Sequence, residues 1–293
     1  MTSPPGGSAD VVAVVGATGR QGSAVVRHLL REGWQVRALT RNPASTAAVA
    51  LRDLGAQLHQ VDAMDAATLR PALRGAHGVF TVQNPMPSGV DAEVRQGRNV
   101  ADAAADEGVR HVVYGAAGVG DELTGVPSWD SKIAVANHLR DRGLPLTVLR
   151  PMAFMELMTD RAFYPTLGVW GLMPKLMGPS RPVGWLCTDD LGAIAARVFA
   201  DPGQWTGRSL SLASDVQSID ECRATWHDVM GRSPRGVALP VWLFERFTGK
   251  DLTTMWRWLR TADIDLSTDT ARSLLPEALT VRAWLTRARH DRV

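Results

Sequence analysis

Tyrosine and cysteine are the scarcest chemistry-bearing residues in this 293-residue sequence, with two of each. Cys187 and Cys222 stand apart, with no CxxC pair and no histidine at a ligand spacing, so disulfide staples and structural zinc are not expected and the thiols read as buried. The histidines, at 28, 59, 77, 111, 138, 227 and 290, are equally scattered, and no metal site is expected. A long apolar run is missing too: no segment reaches the roughly 18 residues that a bilayer-spanning helix requires. Charge of a single sign is also lacking. Lys and Arg number 32 against 30 Asp and Glu, interspersed to a net +2, which leaves no basic stripe for nucleic acid. The opening MTSPPGGSAD has neither the basic start nor the apolar stretch of a signal peptide. It reads as a flexible leader over residues 1–10, and cytoplasm is the default location.

What the sequence does have is alternation. Short apolar runs at 11–16, 35–39, 56–61, 78–82, 111–115 and 145–149 are separated by helix-period stretches near 21–32, 45–54, 66–73, 90–107 and 131–142. Glycine follows the helical stretches, as at Gly33, Gly55, Gly75, Gly108 and Gly143, where it supplies the left-handed residue past a helix end. Repeated strand–helix units of this kind predict an α/β fold: a Rossmann-type, doubly wound parallel sheet over 11–150. After Arg150 the texture changes to Met, Phe, Pro and Gly, then to helices with strand candidates such as SLSLA at 209–213. Residues 151–293 are expected to form a smaller, mostly helical C-terminal domain from which strands and helices can cross back to the sheet. Most of the ten tryptophans fall beyond position 128, as core packing or as an aromatic wall over a cleft.

The first unit, VVAVVGATGRQGSAVVRHLL, places Gly16, Gly19 and Gly22 between a buried strand and an amphipathic helix. Without side chains there, the backbone can turn tightly and approach a pyrophosphate, which the free N–H groups and dipole of the helix start then stabilise. In the second strand, VRALTRNP at 36–43 lacks the acid that would accept from the ribose 2′-hydroxyl of NAD. It offers Arg37 and Arg41 instead, and a guanidinium suits a 2′-phosphate. The expected cofactor is therefore NADP(H), with Arg41 the larger contributor and Arg37 either a contributor or a solvated surface charge.

Further segments extend the pattern: ALTRNP, VDAMD at 61–65, SKIAVANHLRDRGLPLTVLRPMAFME at 131–156, DDLGAIAARVFADP at 189–202, and MWRWLRTADIDLS with LLPEALTVRAWL within 255–285. Together they resemble the NmrA-like family of atypical short-chain dehydrogenase/reductases, from about residue 10 to 288. That resemblance implies a Rossmann domain with a smaller C-terminal domain and NADP(H) across the sheet's switch point. Position by position, it implies Gly16, Thr18, Gly19, Arg20, Gln21 and Gly22 at the pyrophosphate, Arg41 at the 2′-phosphate, and Asp62 with Ala63 at the adenine. Val82, Gln83, Asn84 and Pro85 would run beside the nicotinamide ribose, Lys132 would bond its hydroxyls, and Pro151 to Phe154 would wall the nicotinamide.

The chemistry is less determined than the cofactor. Typical short-chain dehydrogenases use YxxxK, but Ser128 stands four residues before Lys132, and a serine hydroxyl is too weak an acid to replace a phenol at neutral pH. Lys132 and Ser128 are nevertheless the candidate catalytic pair. Tyr114 falls in the fifth strand run and reads as core, Tyr164 lies in the irregular segment and could face a cleft, and Asp130 reads as a helix cap. Trp129, Phe154, Met155, Met158 and Tyr164 are the candidate substrate pocket, with core filling as the alternative for the methionines. Leu157 stands where the resembling family often carries an amide near the substrate cleft.

Two functions fit. One is an NADPH-dependent oxidoreductase passing hydride to a small, flat, apolar electrophile such as a quinone, conjugated alkene or imine, for which positioning and exclusion of water suffice. The other is a non-catalytic NADP(H) sensor acting through a regulatory protein partner. The expected partners are thus a small-molecule substrate, a homodimer mate or a regulatory protein, with neither nucleic acid nor membrane.

Overall fold

The computed structural model describes residues 10–86, 88–160, 168–236 and 239–290. Of the expected leader, only Asp10 lies among them. Strands β1 (Val11–Val15), β2 (Gln35–Thr40), β3 (Gln57–Gln60), β4 (Gly78–Thr81), β5 (His111–Gly115) and β6 (Leu146–Pro151) alternate with helices α1 (Arg20–Arg31), α2 (Thr46–Asp53), α3 (Ala66–Leu73), α4 (Val90–Asp106) and α5 (Pro127–Asp141). Beyond β6 come β7 (Ala153–Phe154), α6 (Met173–Met177), β8 (Val183–Leu186), α7 (Thr188–Ala200), α8 (Pro202–Trp205), β9 (Ser209–Leu212), β10 (Asp215–Gln217) and α9 (Ile219–Met230). Helices α10 (Val241–Thr248), α11 (Asp251–Leu259), α12 (Asp269–Leu274) and α13 (Val281–His290) complete the order. Among the described residues no helix is long and apolar enough to cross a membrane.

The larger sheet runs β3-β2-β1-β4-β5-β6-β9, and the pairings from β3 through to β6 are parallel. This is the doubly wound, Rossmann-type arrangement. Helices cover both faces, so the central strands need no polar side: β4, β5 and β6 are buried at every residue, as expected for a parallel sheet. Strand order reverses between β1 and β4, and a doubly wound sheet opens its ligand crevice at the carboxyl ends of the strands flanking that reversal.

Contacts divide the chain into two compact units. Unit 1 comprises Met1–Ala117, Ser128–Arg150 and Thr188–Leu210, and unit 2 comprises Gly118–Pro127, Pro151–Cys187 and Ser211–Val293. In unit 1, α7 packs on α1 so closely that a Cβ on Gly192 would sit 2.6 Å from the Ala24 backbone. Asp189, in the first turn of α7, takes Arg27 and His28 of α1 at 3.4 Å each. The hydrogen bond from His28 holds its carboxyl well below the usual carboxylate range, with the Arg27 guanidinium adding to the effect against partial burial. Unit 2 has a core of its own, in which Trp170 meets Trp226 edge to face at 5.5 Å and Phe244 meets Trp256 at 5.6 Å. Trp185 is fully buried there. These tryptophans fill a core rather than face a cleft, whereas Trp242 on α10 is 67% exposed.

One buried histidine makes unit 1 acid-sensitive. His111 on β5 is fully buried, with Nε2 at 2.8 Å from Thr147 Oγ1 and its ring edge on Phe199. Burial, aided by nearby His77, lowers its pKa to about 4, against about 6.5 in an unfolded chain. Between those values the unfolded chain binds the additional proton, so stability is fully present above pH ~6.5 and declines as pH falls toward ~4. Urea unfolding across that window should show a loss of up to about 3 kcal/mol from this group. The decline should flatten in His111→Asn.

Candidate functional site

The turn from β1 into α1 is built from three glycines with different duties. Gly16 has φ +73°, a left-handed conformation, and a Cβ there would come 3.0 Å from the Val82 carbonyl at the end of β4. A Cβ on Gly22 would lie 2.2 Å from the Gly16 carbonyl oxygen, which no side chain tolerates. Gly19 is the N-cap, donates its N–H to the Gly16 carbonyl at 3.0 Å, and is exposed. The N-cap, being glycine, makes no side-chain bond to the first turn of α1, and no acid stands in that turn. The backbone N–H groups of Arg20, Gln21 and Gly22 therefore begin the helix beside a bare, accessible turn that includes the half-buried Thr18. Such a start holds an anion through its orphan donors and dipole.

Two buried amides border this turn. Among the described residues the Gln21 Oε1 has no hydrogen-bond partner, and it lies 3.0 Å from where a Cβ on Gly115 would be, at the end of β5. Gln83, just past β4, donates Nε2 to Thr81 Oγ1 at 2.6 Å while its Oε1 is likewise unpartnered. Buried orphan acceptors are rare in folded proteins, and these two lie at the ends of the neighbouring strands β5 and β4.

Past β2 the arginines separate. Arg37 donates from Nη1 to the carbonyls of Ala72 and Arg74, at 3.0 and 2.7 Å, tying β2 to the C-terminal end of α3, where unpaired carbonyls attract a cation. Of the two readings left open for Arg37, a phosphate contact or a surface charge, these bonds favour a structural use of the guanidinium. Arg41 is exposed, and among the described residues its guanidinium has no ion pair. The following turn is well fixed. Asp62 Oδ1 accepts the Met64 N–H at 2.9 Å, the Asp62 N–H donates to Thr68 Oγ1 at 3.1 Å, and Asn99 Nδ2 donates to the Ala63 carbonyl at 2.9 Å. Asp62 itself is exposed, with its second carboxylate oxygen outside these bonds.

Helix α5 begins at Pro127, a favoured first-turn residue, four residues earlier than the periodicity placed it. Asp130 is consequently within the first turn, where a carboxylate suits the dipole, and is not the cap it was read to be. Ser128 stands one turn before Lys132, and its carbonyl accepts from Ser131 Oγ at 3.2 Å. Trp129 is buried beside it. Lys132 donates to the Gln83 carbonyl at 3.1 Å and to Glu93 Oε1 at 2.6 Å. Ser131 Oγ bonds the other oxygen of Glu93, a residue of α4 with no exposed surface. Glu93 and Ser131 escaped the sequence reading. Asn84 Oδ1 closes the loop after β4 on the Met86 N–H at 3.0 Å, with Val82 and Pro85 half-buried.

Tyr114 lies in β5, fully buried, and its hydroxyl has no partner among the described residues. Burial pushes the phenol well above its ordinary pKa, the nearby Glu93 carboxylate adds to that, and Arg150 opposes it. It is a core residue and no proton donor. In unit 2, Pro151 is buried at the end of β6, and Phe154 on β7 pairs with Leu186 of β8. Met155 and Met158, expected in a substrate pocket, are 0% and 2% exposed inside the unit 2 core. They pack against protein, so the pocket expectation for both is corrected to core. Tyr164 lies outside the described residues.

A glycine-lined turn at the switch point of a parallel sheet defines a Rossmann-type fold with an anion-accepting helix start. The chain belongs to the NmrA-like family, whose model matches residues 8–285. It is 30% identical over 255 residues to the NmrA-like family domain-containing oxidoreductase hkm9 of Aspergillus hancockii, covering 79% of this chain and 76% of that one. Crystal structures of NmrA, a negative transcriptional regulator, in complex with NADP and with NAD share the fold at TM-score 0.79, with 20% and 22% identity over 98% of this chain and 97% of theirs. The triphenylmethane reductase of Citrobacter sp., complexed with NADP(H), does so at TM-score 0.77 and 19% identity over 95% of this chain and 99% of that one.

The glycines separate folding from binding. Gly22→Ala should lower unfolding stability by about 2 kcal/mol or more, since the clash is with backbone. At Gly19 a Cβ meets only the Gly16 carbonyl at 3.2 Å, so Gly19→Ala should unfold within about 1 kcal/mol of the parent yet bind a dinucleotide more weakly. Chemical denaturation and a nucleotide titration read the two effects.

Proposed function

We propose that this protein is an NADPH-dependent reductase that delivers hydride to a small, flat, apolar electrophile such as a quinone, conjugated alkene or imine. The observation that carries the cofactor is the glycine-built start of α1: three glycines in the turn, an exposed glycine as N-cap and no acid in the first turn. Those N–H groups, with Thr18 and Arg20, would hold a pyrophosphate. Arg41 would meet a 2′-phosphate, and β2 offers no carboxylate to compete with it. The free oxygen of Asp62 would accept from the adenine amino group beside Ala63. Val82, Gln83 and Asn84 would border the nicotinamide ribose, and the Lys132 ammonium would donate to its hydroxyls. When bound, the cofactor supplies a hydride at its nicotinamide ring.

The acceptor class is supported by how poorly the candidate donors among the described residues suit proton transfer. Tyr114 is sealed in the core, Ser128 is too weak an acid, and the Lys132 ammonium is committed to Glu93. An acceptor that is already electrophilic needs no strong acid from the protein. The curated oxidoreductases at about 30% identity and the fold shared with a reductase of dye molecules support the same reading. Among the described residues no tyrosine hydroxyl is accessible, and that observation, with the fold shared with a transcriptional regulator seen in complex with NADP and with NAD, favours the sensor reading.

Following NADPH absorbance against quinones, enones, imines and aldehydes, after titrating NADPH, NADP and NADH, decides between them. Turnover on the electrophilic members establishes the reductase, and tight NADPH binding with no oxidation across the panel overturns it in favour of the sensor. Arg41→Ala should reduce the preference for NADPH over NADH by about tenfold or more, the worth of one charge-assisted contact. An unchanged ratio of dissociation constants would remove Arg41 from the site.

A further inference from the structure

Glu93 has no part in the function proposed above, yet it is the one carboxylate of α4 with no exposed surface. A carboxylate is costly to bury unless both oxygens are satisfied by charge and hydrogen bonds. Here one oxygen takes the Lys132 ammonium at 2.6 Å and the other takes Ser131 Oγ. Both donors are adjacent on α5. One turn further along the same pair of helices, a Cβ on Gly97 would come 2.5 Å from Val135 Cγ1. Gly97 thus lets α4 approach α5 closely enough for the short Ser131 side chain to reach the carboxylate.

An ammonium has three N–H donors. Lys132 gives one to Glu93 and one to the Gln83 carbonyl, and among the described residues the third has no partner. A lysine side chain is otherwise a flexible stem with many rotamers, and two fixed acceptors remove that freedom before any ligand arrives.

We propose that Glu93 is a positioning residue: it fixes the Lys132 ammonium so that its single uncommitted N–H is aimed at the ribose hydroxyls of the bound dinucleotide, with Ser131 and Gly97 holding Glu93 in place. This rests on the cofactor reading above and deepens it.

The test compares two ligands. NADPH carries the nicotinamide ribose, whereas adenosine 2′,5′-bisphosphate carries only the adenine half and its phosphates. Glu93→Gln keeps the side-chain shape and can still accept from Ser131, but it loses the charge that pins Lys132. It should weaken NADPH binding by about tenfold, the scale of one hydrogen bond to a charged group, while leaving the bisphosphate within about twofold of the parent. General damage to the fold would weaken both ligands alike. Thermal unfolding gives an independent measure: Lys132→Met strands the buried carboxylate and should lower Tm by about 5 °C or more, and adding Glu93→Gln to it should recover Tm without recovering NADPH affinity.

The positioning role is overturned if Glu93→Gln binds NADPH as the parent does, if it weakens both ligands equally, or if the double variant is no more stable than Lys132→Met. Should Glu93→Gln alone fail to fold, Glu93→Asp, which keeps the charge but withdraws it by one methylene, carries the same two-ligand comparison. A parent that binds the bisphosphate and not NADPH overturns this inference alone, and one that binds neither overturns the cofactor reading itself.

Discussion

The distance between the start of α1 and the end of β1 governs the candidate site. Gly22 stands so near the Gly16 carbonyl that a methyl group would sit 2.2 Å from that oxygen. On its other side α1 meets α7 with Gly192 against the Ala24 backbone, and Asp189 binds Arg27 and His28 across the same contact. Glycine is used at both contacts for close approach, and only Gly16 is also needed for its left-handed backbone. The helix is held between the sheet and α7, so its N–H groups are fixed at the switch point by packing, with no dependence on a ligand. A preorganised anion site of this kind spends little ordering entropy when it is filled.

What was legible in the sequence follows the range of the forces involved. Strands β1, β4 and β5 are short, mainly apolar runs, β2 and β6 keep an apolar majority or half around Arg37 and Thr147, and a glycine follows each helix between them, so composition over a few residues shows their type and nearly their bounds. The start of α5 was misplaced because Pro127-Ser128-Trp129-Asp130 carries no apolar period; the helix there is nucleated by proline geometry. Arg37 could not be assigned from sequence because its acceptors, the Ala72 and Arg74 carbonyls, lie 35 and 37 positions away. The return of Thr188–Leu210 to unit 1 is a long-range packing choice of the same kind.

Glu93 had left a trace. On α4 it falls at the helical spacing of Gly97, Val100, Ala101 and Ala104, all buried, so a charged side chain occupies the stripe that should be apolar. A buried acid needs a partner, and Lys132 was the cation already singled out. The sequence pattern set Ser128, four positions before Lys132 on its own helix, beside it through the YxxxK spacing, which says nothing of an ion-pair partner. The partner instead came from α4, the neighbouring helix.

The Glu93–Lys132 pair also fixes how charge is distributed at the proposed dinucleotide site. A lysine facing a phosphate-bearing ligand would ordinarily count as a positive charge attracting it. Here that charge is matched at 2.6 Å by a fully buried carboxylate, so beyond a few ångströms the pair acts as a dipole, and Lys132 contributes direction more than attraction. The net positive field available to an anion comes from the α1 terminus and from Arg41, at the adenine end. On the proposed reading, affinity and orientation would fall to different parts of unit 1: the exposed end would capture the phosphates, and the buried end would set the angle of the ribose.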